Sequence, residues 1–335
     1  MNIYNPNNCP EFKQLKNAIF LAGPCPREKE DFKNDWRKEA ISLFEKYNFN
    51  GDIINPTNDN YDNDLEKQTL WEHKGLCYAS AILFWIPRSE KHPALTTNIE
   101  FGEWFDKENV FVGFPDDSIK NDYIDVKLKQ NNITRYKTLE SIVKSICKRF
   151  KSKEKVFVTS DTHFSAERTR VLSYRPFKNV DEMDNQLISN WNKRITMNDV
   201  VVHLGDFGNP EIIHLLNFKK MYFLPGNYER DDKKFQKEVY FNDDRVQLLK
   251  EGEIVINGKK YIVKHEPFER PIEKVNKNEF YLFGHIHRLQ MVKRNGINVG
   301  IDGNRFKPMS VSEIEFLRGG IEEHFDENVF QDSCQ

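Results

Sequence analysis

Cysteine is scarce in this 335-residue chain: Cys9, Cys25, Cys77, Cys147 and Cys334 are odd in number, widely spaced and form no C-x-x-C pair. That usage speaks against a thiolate metal site or a disulfide framework and fits a reducing compartment. An excess of charge is also missing, since 50 Lys and Arg face 52 Asp and Glu for a formal net charge of −2. A chain built to cover nucleic-acid phosphates is therefore not expected, and small anionic molecules are the better partners. No apolar run approaches the ~20 residues of a membrane span; the longest, Ala79 to Ile86, is broken at Ser80. Met1 to Pro10 is rich in asparagine and lacks the charged start and apolar core of a signal peptide. A cytoplasmic protein with no membrane partner is the expectation, and no internal repeat or low-complexity tract interrupts the chain.

What is present divides in two. With 38% apolar residues both halves can bury a core, and the length predicts two domains of about 150 residues each. The basic stretch Lys148 to Lys155 ends a predicted helix and precedes a new strand. It is read as a solvated linker, giving domains over 1–150 and 151–318 and a tail over 319–335. In the first domain apolar runs alternate with helical patterns: Ala18–Leu21, helix Asp31–Tyr47, Asp52–Ile54, helix Leu65–Cys77, Ala81–Ile86, helix Asn98–Asp106, Val110–Val112, helix Thr138–Arg149. Strict alternation predicts an α/β domain with a parallel sheet covered on both faces, its ligands beyond the carboxyl ends of the strands. Asp59 to Asp64 superficially resembles a calcium loop but lacks the central glycine and closing glutamate, so a polar rim loop is expected.

The second half carries an ordered series of donors: Asp161-Thr-His163, Gly205-Asp206, Gly226-Asn227, His265 and Gly284-His285-Ile-His287. Each follows a short apolar run (Val156–Val158, Val200–His203, Tyr222–Leu224, Tyr261–Val263, Tyr281–Phe283), so each reads as a loop at a strand end. Carboxylates, imidazoles and an amide oxygen suit paired divalent metals, which clamp phosphate oxygens and activate water. A lone histidine is more often a satisfied structural residue, the reading given to His203, His214 and His324.

These motifs, with Arg175-Pro-Phe177, Asn190-Trp-Asn192 and His203-Leu-Gly-Asp-Phe207 between them, resemble the calcineurin-like metallophosphoesterases over residues 155–312. The resemblance implies an α/β/β/α sandwich with two divalent metals. Manganese is expected, and the ligands also admit iron, nickel or zinc. One metal falls to Asp161, His163, Asp206 and His287, the other to Asp206, Asn227, His265 and His285, with Asp206 bridging. The chain departs from the family where Tyr228 replaces the histidine of the G-N-H motif. A phenol of pKa ~10 is a weaker acid than imidazolium at neutral pH. Its hydroxyl can still donate to a phosphoryl oxygen, favouring substrates whose leaving group needs little protonation.

Thr97-Asn-Ile-Glu100 raises a second chemistry. Its spacing fits a capping box in which Glu100 answers Thr97, and equally a carboxylate placed near a sheet rim. Together with Ile19 to Pro24, Trp36-Arg37, Asn55-Pro56, Trp71-Glu72, Phe84 to Arg88 and Gly113 to Asp116, the segment resembles the nucleoside 2-deoxyribosyltransferase-like family over residues 17–125. The resemblance implies a flavodoxin-like sheet and makes Glu100 the nucleophile toward C1′ of a nucleoside. Gly23 and Pro24 then shape the loop beside the sugar, Glu72 or Asp64 holds the base, and Asn98 or Arg88 meets sugar or phosphate. Trp71 and Trp85 are candidates for stacking on the base. Transferases of that family complete their sites from a neighbouring subunit, which keeps a homo-oligomer open.

The expectation is a bifunctional nucleotide-processing enzyme, breaking or transferring an N-glycosidic bond and hydrolysing a phosphoester. Its substrate is a small nucleoside or nucleotide. The alternatives are a phosphoesterase regulated by a nucleotide-sensing first domain, a metal-dependent nuclease, or an inactive scaffold.

Overall fold

The computed structural model describes residues 1–26, 35–57, 64–152, 154–232, 240–267, 279–293 and 295–324. The chain forms two compact units, Met1–Lys153 with Asn192–Met197, and Glu154–Trp191 with Asn198–Gln335.

Unit one contains β1 (Asn2–Tyr4), β2 (Ile19–Ala22), α1 (Trp36–Lys46), β3 (Asp52–Ile54), α2 (Leu65–Tyr78), β4 (Ala81–Trp85), α3 (Leu95–Trp104), β5 (Val110–Gly113), α4 (Asp122–Gln130), β6 (Arg135–Tyr136) and α5 (Leu139–Phe150). Every residue of β2 and β4 is buried, as continuous apolar strands must be when helices cover both faces. The six strands lie in the order β1-β3-β2-β4-β5-β6, all parallel. Beyond the short edge strand β1 this is the flavodoxin-like order. On one face Ala40 and Phe44 of α1 pack with Leu139, Ile142 and Ile146 of α5. On the other, Leu76, Phe101 and Ile124 bring α2, α3 and α4 onto the sheet. Each such side chain contributes roughly 1.5–3 kcal/mol by leaving water. The winding reverses between β2 and β4, where a doubly wound sheet opens a crevice beyond its strand ends.

The expected alternation is present, with differences at its edges. Helix α1 begins at Trp36, where Asp35 accepts a hydrogen bond from the Arg37 amide; residues 31–34 of the expected helix lie outside the described residues. The same holds for residues 59–63 of the rim loop, while Asp64 caps α2 by accepting from the Lys67 amide at 2.9 Å.

Unit two contains β7 (Val156–Thr159), α6 (Glu167–Leu172), α7 (Val180–Arg194), β8 (Val200–His203), β9 (Lys220–Phe223), α8 (Asn227–Asp231), β10 (Val246–Leu248), β11 (Gly252–Ile256), β12 (Lys259–Val263), β13 (Tyr281–Phe283), β14 (Val292–Lys293), β15 (Gly296–Asn298), β16 (Met309–Ser310) and α9 (Val311–His324). Two mixed sheets run β10-β9-β8-β7-β16 and β11-β12-β13-β15-β14. Val158 and Val202 from the first share one core with Val263, Leu282 and Ile297 from the second, joined by Ile314 of α9. Two sheets face to face inside an α/β unit agree with the expected class. The tail expected from residue 319 is helical as far as His324, and 325–335 lie outside the described residues. Strands β7, β8 and β9 are parallel, as are β12 and β13, so consecutive ligand loops leave at the same end of each sheet.

Candidate active sites

The loops after β7, β8, β9, β12 and β13 bring all seven expected donors of unit two together. Ligand atoms of Asp161, His163 and His287 lie within 4.8 Å of one another, as do those of Asp206, His265 and His285. Asp206 links the groups, its Oδ2 standing 3.4 Å from both His163 Nε2 and His265 Nε2. The Asn227 side-chain oxygen lies 2.9 Å from His265 Nε2 and 3.0 Å from His285 Nδ1. Local sterics explain the glycines between ligands. A Cβ on Gly226 would stand 2.2 Å from Asp206 Oδ1, and one on Gly284 would stand 2.4 Å from Asp161 Oδ2. Asp161, His163, Asp206, His285 and His287 all adopt positive φ, between 48° and 70°, a backbone state that costs L residues energy and gathers at functional sites.

Burial and the donor set make this arrangement suited to a cation. Asp161, His163 and His265 are almost wholly inaccessible. Burial holds the Asp161 carboxyl above its ordinary range and pushes His163 down to about 3. At His265 burial is outweighed by the Asp206 hydrogen bond and the two carboxylates, which lift it to about 9. His163 Nε2 is buried without a hydrogen-bond partner. An orphaned ring nitrogen among carboxylates fits a metal ligand. His265 Nδ1 is 2.6 Å from the Leu204 carbonyl and His287 Nδ1 is 2.8 Å from Asp302 Oδ2, contacts that leave each Nε2 as the coordinating atom. The donors therefore fit divalent metals.

Three supporting residues were not legible as such. Glu229, buried in α8, accepts from the amides of Asp206, Phe207 and Gly226, each at 2.9 Å, and so ties the β8 loop to the β9 loop. Arg175 grips both oxygens of Asp302 at 2.8 Å and donates to the carbonyls of Thr162 and Asp161. Neither Glu229 nor Asp302 announces itself in the sequence, because their partners are backbone groups or distant in the chain. His203 is a structural residue: its Nδ1 accepts from the Gly205 amide and its Nε2 meets Thr162 Oγ1 at 3.0 Å. Tyr228 is half exposed at the mouth, its ring 4.9 Å from that of His163, and its amide donates to Asp206 Oδ1 at 3.0 Å.

Unit one holds a cavity of about 380 Å³ beside the end of β2 and the start of α3, lined among others by Gly23, Pro24, Glu72, Ile99 and Glu100. Glu100 sits in the second turn of α3, whose cap is Ala94 in the left-handed conformation. Thr97 lies buried inside the helix rather than at its start, so the capping-box reading of Glu100 does not hold. Burial, then the nearby Glu72 carboxylate, pushes Glu100 up to about 7. Burial raises Glu72 as well, against a 2.9 Å hydrogen bond from Gln68. Arg37, 1% exposed, also lines the cavity and donates to the carbonyls of Leu21, Gly23 and Pro24. It shapes the loop that the glycine and proline were expected to shape.

The remaining expected contacts lie elsewhere. Asp64, Arg88 and Asn98 are absent from the cavity lining. Asp64 is a helix cap, while Arg88 hydrogen-bonds Asn98 and the Lys120 carbonyl, because these polar groups satisfy one another locally. Trp71 packs against the core with its ring 5.2 Å from Phe12, and Trp85 is buried in the core of the opposite face. Neither lines that cavity, although Trp85 borders an adjoining one together with Pro24 and Trp36.

Residues 16–118 match the family described as nucleoside 2-deoxyribosyltransferase like, and residues 155–311 match the calcineurin-like phosphoesterase superfamily domain. The chain is a fusion of these two domains, the second from a family of hydrolases that use divalent metals. Among individual proteins, it is 29% identical over 178 residues to the uncharacterized protein MJ1445 of Methanocaldococcus jannaschii, covering 49% of this chain and 90% of that one. A crystal structure of the protein of unknown function AQ665 from Aquifex aeolicus is similar at 20% identity and a TM-score of 0.37, covering 49% of this chain and 100% of that one. Among the described residues no helix is long and apolar enough to cross a membrane.

Proposed function

We propose that the chain processes nucleotides at two sites, hydrolysing a phosphoester in unit two and breaking an N-glycosidic bond in unit one. The observation that carries the first half is the convergence of seven donors from five loops on the shared Asp206 carboxylate. Asp161, His163, Asp206 and His287 would hold one divalent metal, and Asp206, Asn227, His265 and His285 the other, with manganese the expected ion. Such a pair supplies positive charge to phosphoryl oxygens and an activated water. The chain's own part is to fix the ligands: Asp302 and Leu204 orient two imidazoles, and Glu229 holds Asp206 toward Asn227. Tyr228 would donate a hydrogen bond to a phosphoryl oxygen, which suits a leaving group that departs with little protonation.

In unit one the ionised Glu100 carboxylate attacks C1′, and the base departs with the bonding electron pair and takes up a proton from water. Water or a second base then resolves the glycosyl ester. Glu72, which lines the same cavity, would hold the base. Mass-spectrometric screening of a nucleotide library with wild type, Glu100→Gln and Asp206→Ala tests both halves. Base release should vanish in the first variant and phosphoester hydrolysis in the second. Equal base release from wild type and Glu100→Gln, or none from either, leaves unit one a nucleotide sensor; polynucleotide cleavage lost in Asp206→Ala points to a nuclease.

A further inference from the structure

Tyr174 follows the C-terminal cap of α6 at φ +49°. Its amide donates to the Val171 carbonyl and the Arg175 amide donates to the Arg170 carbonyl, the pair of hydrogen bonds of a helix ending whose left-handed position glycine ordinarily occupies. A tyrosine there carries a backbone cost of about 1 kcal/mol that glycine avoids. Packing does not offset the cost, because the side chain is 76% exposed. Strain kept at an exposed aromatic calls for a use of the ring.

The ring's surroundings indicate the use. The Arg288 guanidinium lies over it, 5.5 Å from the centroid, and Arg288 directly follows the donor His287. Tyr174 directly precedes Arg175, whose guanidinium bonds the Asp161 and Thr162 carbonyls and Asp302. Leu172 and Leu289, each the immediate neighbour of this stretch or of Arg288, are also exposed, at 62% and 83%. A flat ring, a cation and apolar flanks therefore stand beside the donor cluster. An aromatic face takes any base by stacking, and a guanidinium draws an anion.

We propose that Tyr174 and Arg288 form a nucleobase platform that seats the base of a nucleotide ester while its phosphate reaches the donor cluster. The proposal rests on the phosphoesterase reading of unit two. It makes Tyr174 a specificity residue that acts on substrate binding.

The test compares two esters with one leaving group, thymidine 5′-(p-nitrophenyl phosphate) and methyl p-nitrophenyl phosphate, on the manganese-loaded full chain. Tyr174→Gly should raise KM for the nucleotide ester by roughly tenfold more than for the methyl ester, the scale of one lost stack. Tyr174→Phe should keep the wild-type ratio, and the melting temperature of Tyr174→Gly should not fall. An unchanged ratio in Tyr174→Gly overturns the platform. Equilibrium dialysis of thymidine 5′-monophosphate separates this result from failure of the phosphoesterase reading. If wild type cleaves neither ester, that reading fails, and the platform then stands on weaker nucleotide binding by Tyr174→Gly or falls on equal binding.

Discussion

Glu100 shows how one carboxyl's surroundings set both reactivity and stability. Its pKa rises from 4.5 to about 7 by burial and by Glu72, so the folded chain favours the neutral acid. The associated stability is fully present below the unfolded value of 4.5 and is lost as pH climbs through about 7. Glu100→Gln should therefore match wild type in denaturant melts near pH 4 and exceed it by up to roughly 3 kcal/mol near pH 9. Base release has the opposite slope, since attack needs the carboxylate: the wild-type rate should rise with pH and level off above about 7. A flat pH–rate profile across that range contradicts a nucleophilic Glu100. Glu229 makes a complementary case, because its carboxylate serves three buried amides. Glu229→Ala leaves those donors unpaired and should cost about 3 kcal/mol or more, read as a lower unfolding midpoint. Glu229→Gln keeps one acceptor oxygen and should lose less.

Among elements, the parallel strands were the most legible. β2, β4, β7 and β8 are short apolar runs because both faces of each are covered, and a glycine or polar ligand follows β2, β7 and β8 within two residues. Helix starts were less so. α3 begins after Ala94 in a left-handed turn, for which alanine gives no signal, so Thr97 passed for a cap. Asp206, Asn227 and His285 were readable because each follows a glycine that the close approach of loops requires, and the other donors because they recur in order at strand ends. The residues that aim them were not, since Arg175 reaches Asp302 across 127 positions. That link yields a prediction for the loop between β15 and β16. Asp302→Asn weakens the contact to His287 Nδ1 and should lower manganese affinity by roughly 10- to 100-fold in calorimetric titration. The circular dichroism of the helices should be unchanged. An affinity equal to wild type denies Asp302 a role in orienting the ligand.

For the whole molecule, fusion of two domains allows a test of independence. Each candidate site is built within one unit, with Glu100 in the first and all seven donors in the second. Chelation with EDTA should abolish phosphoester hydrolysis and leave base release intact, while Glu100→Gln should do the reverse. Loss of both activities on chelation contradicts separate chemistry.

The five donors held at positive φ reach beyond catalysis. Each costs roughly 1 kcal/mol or more in backbone energy, so the metal-free chain carries a penalty that bound metal offsets. In a cell starved of metal, a larger share of chains would visit unfolded states open to proteases. Abundance itself would then report the metal supply.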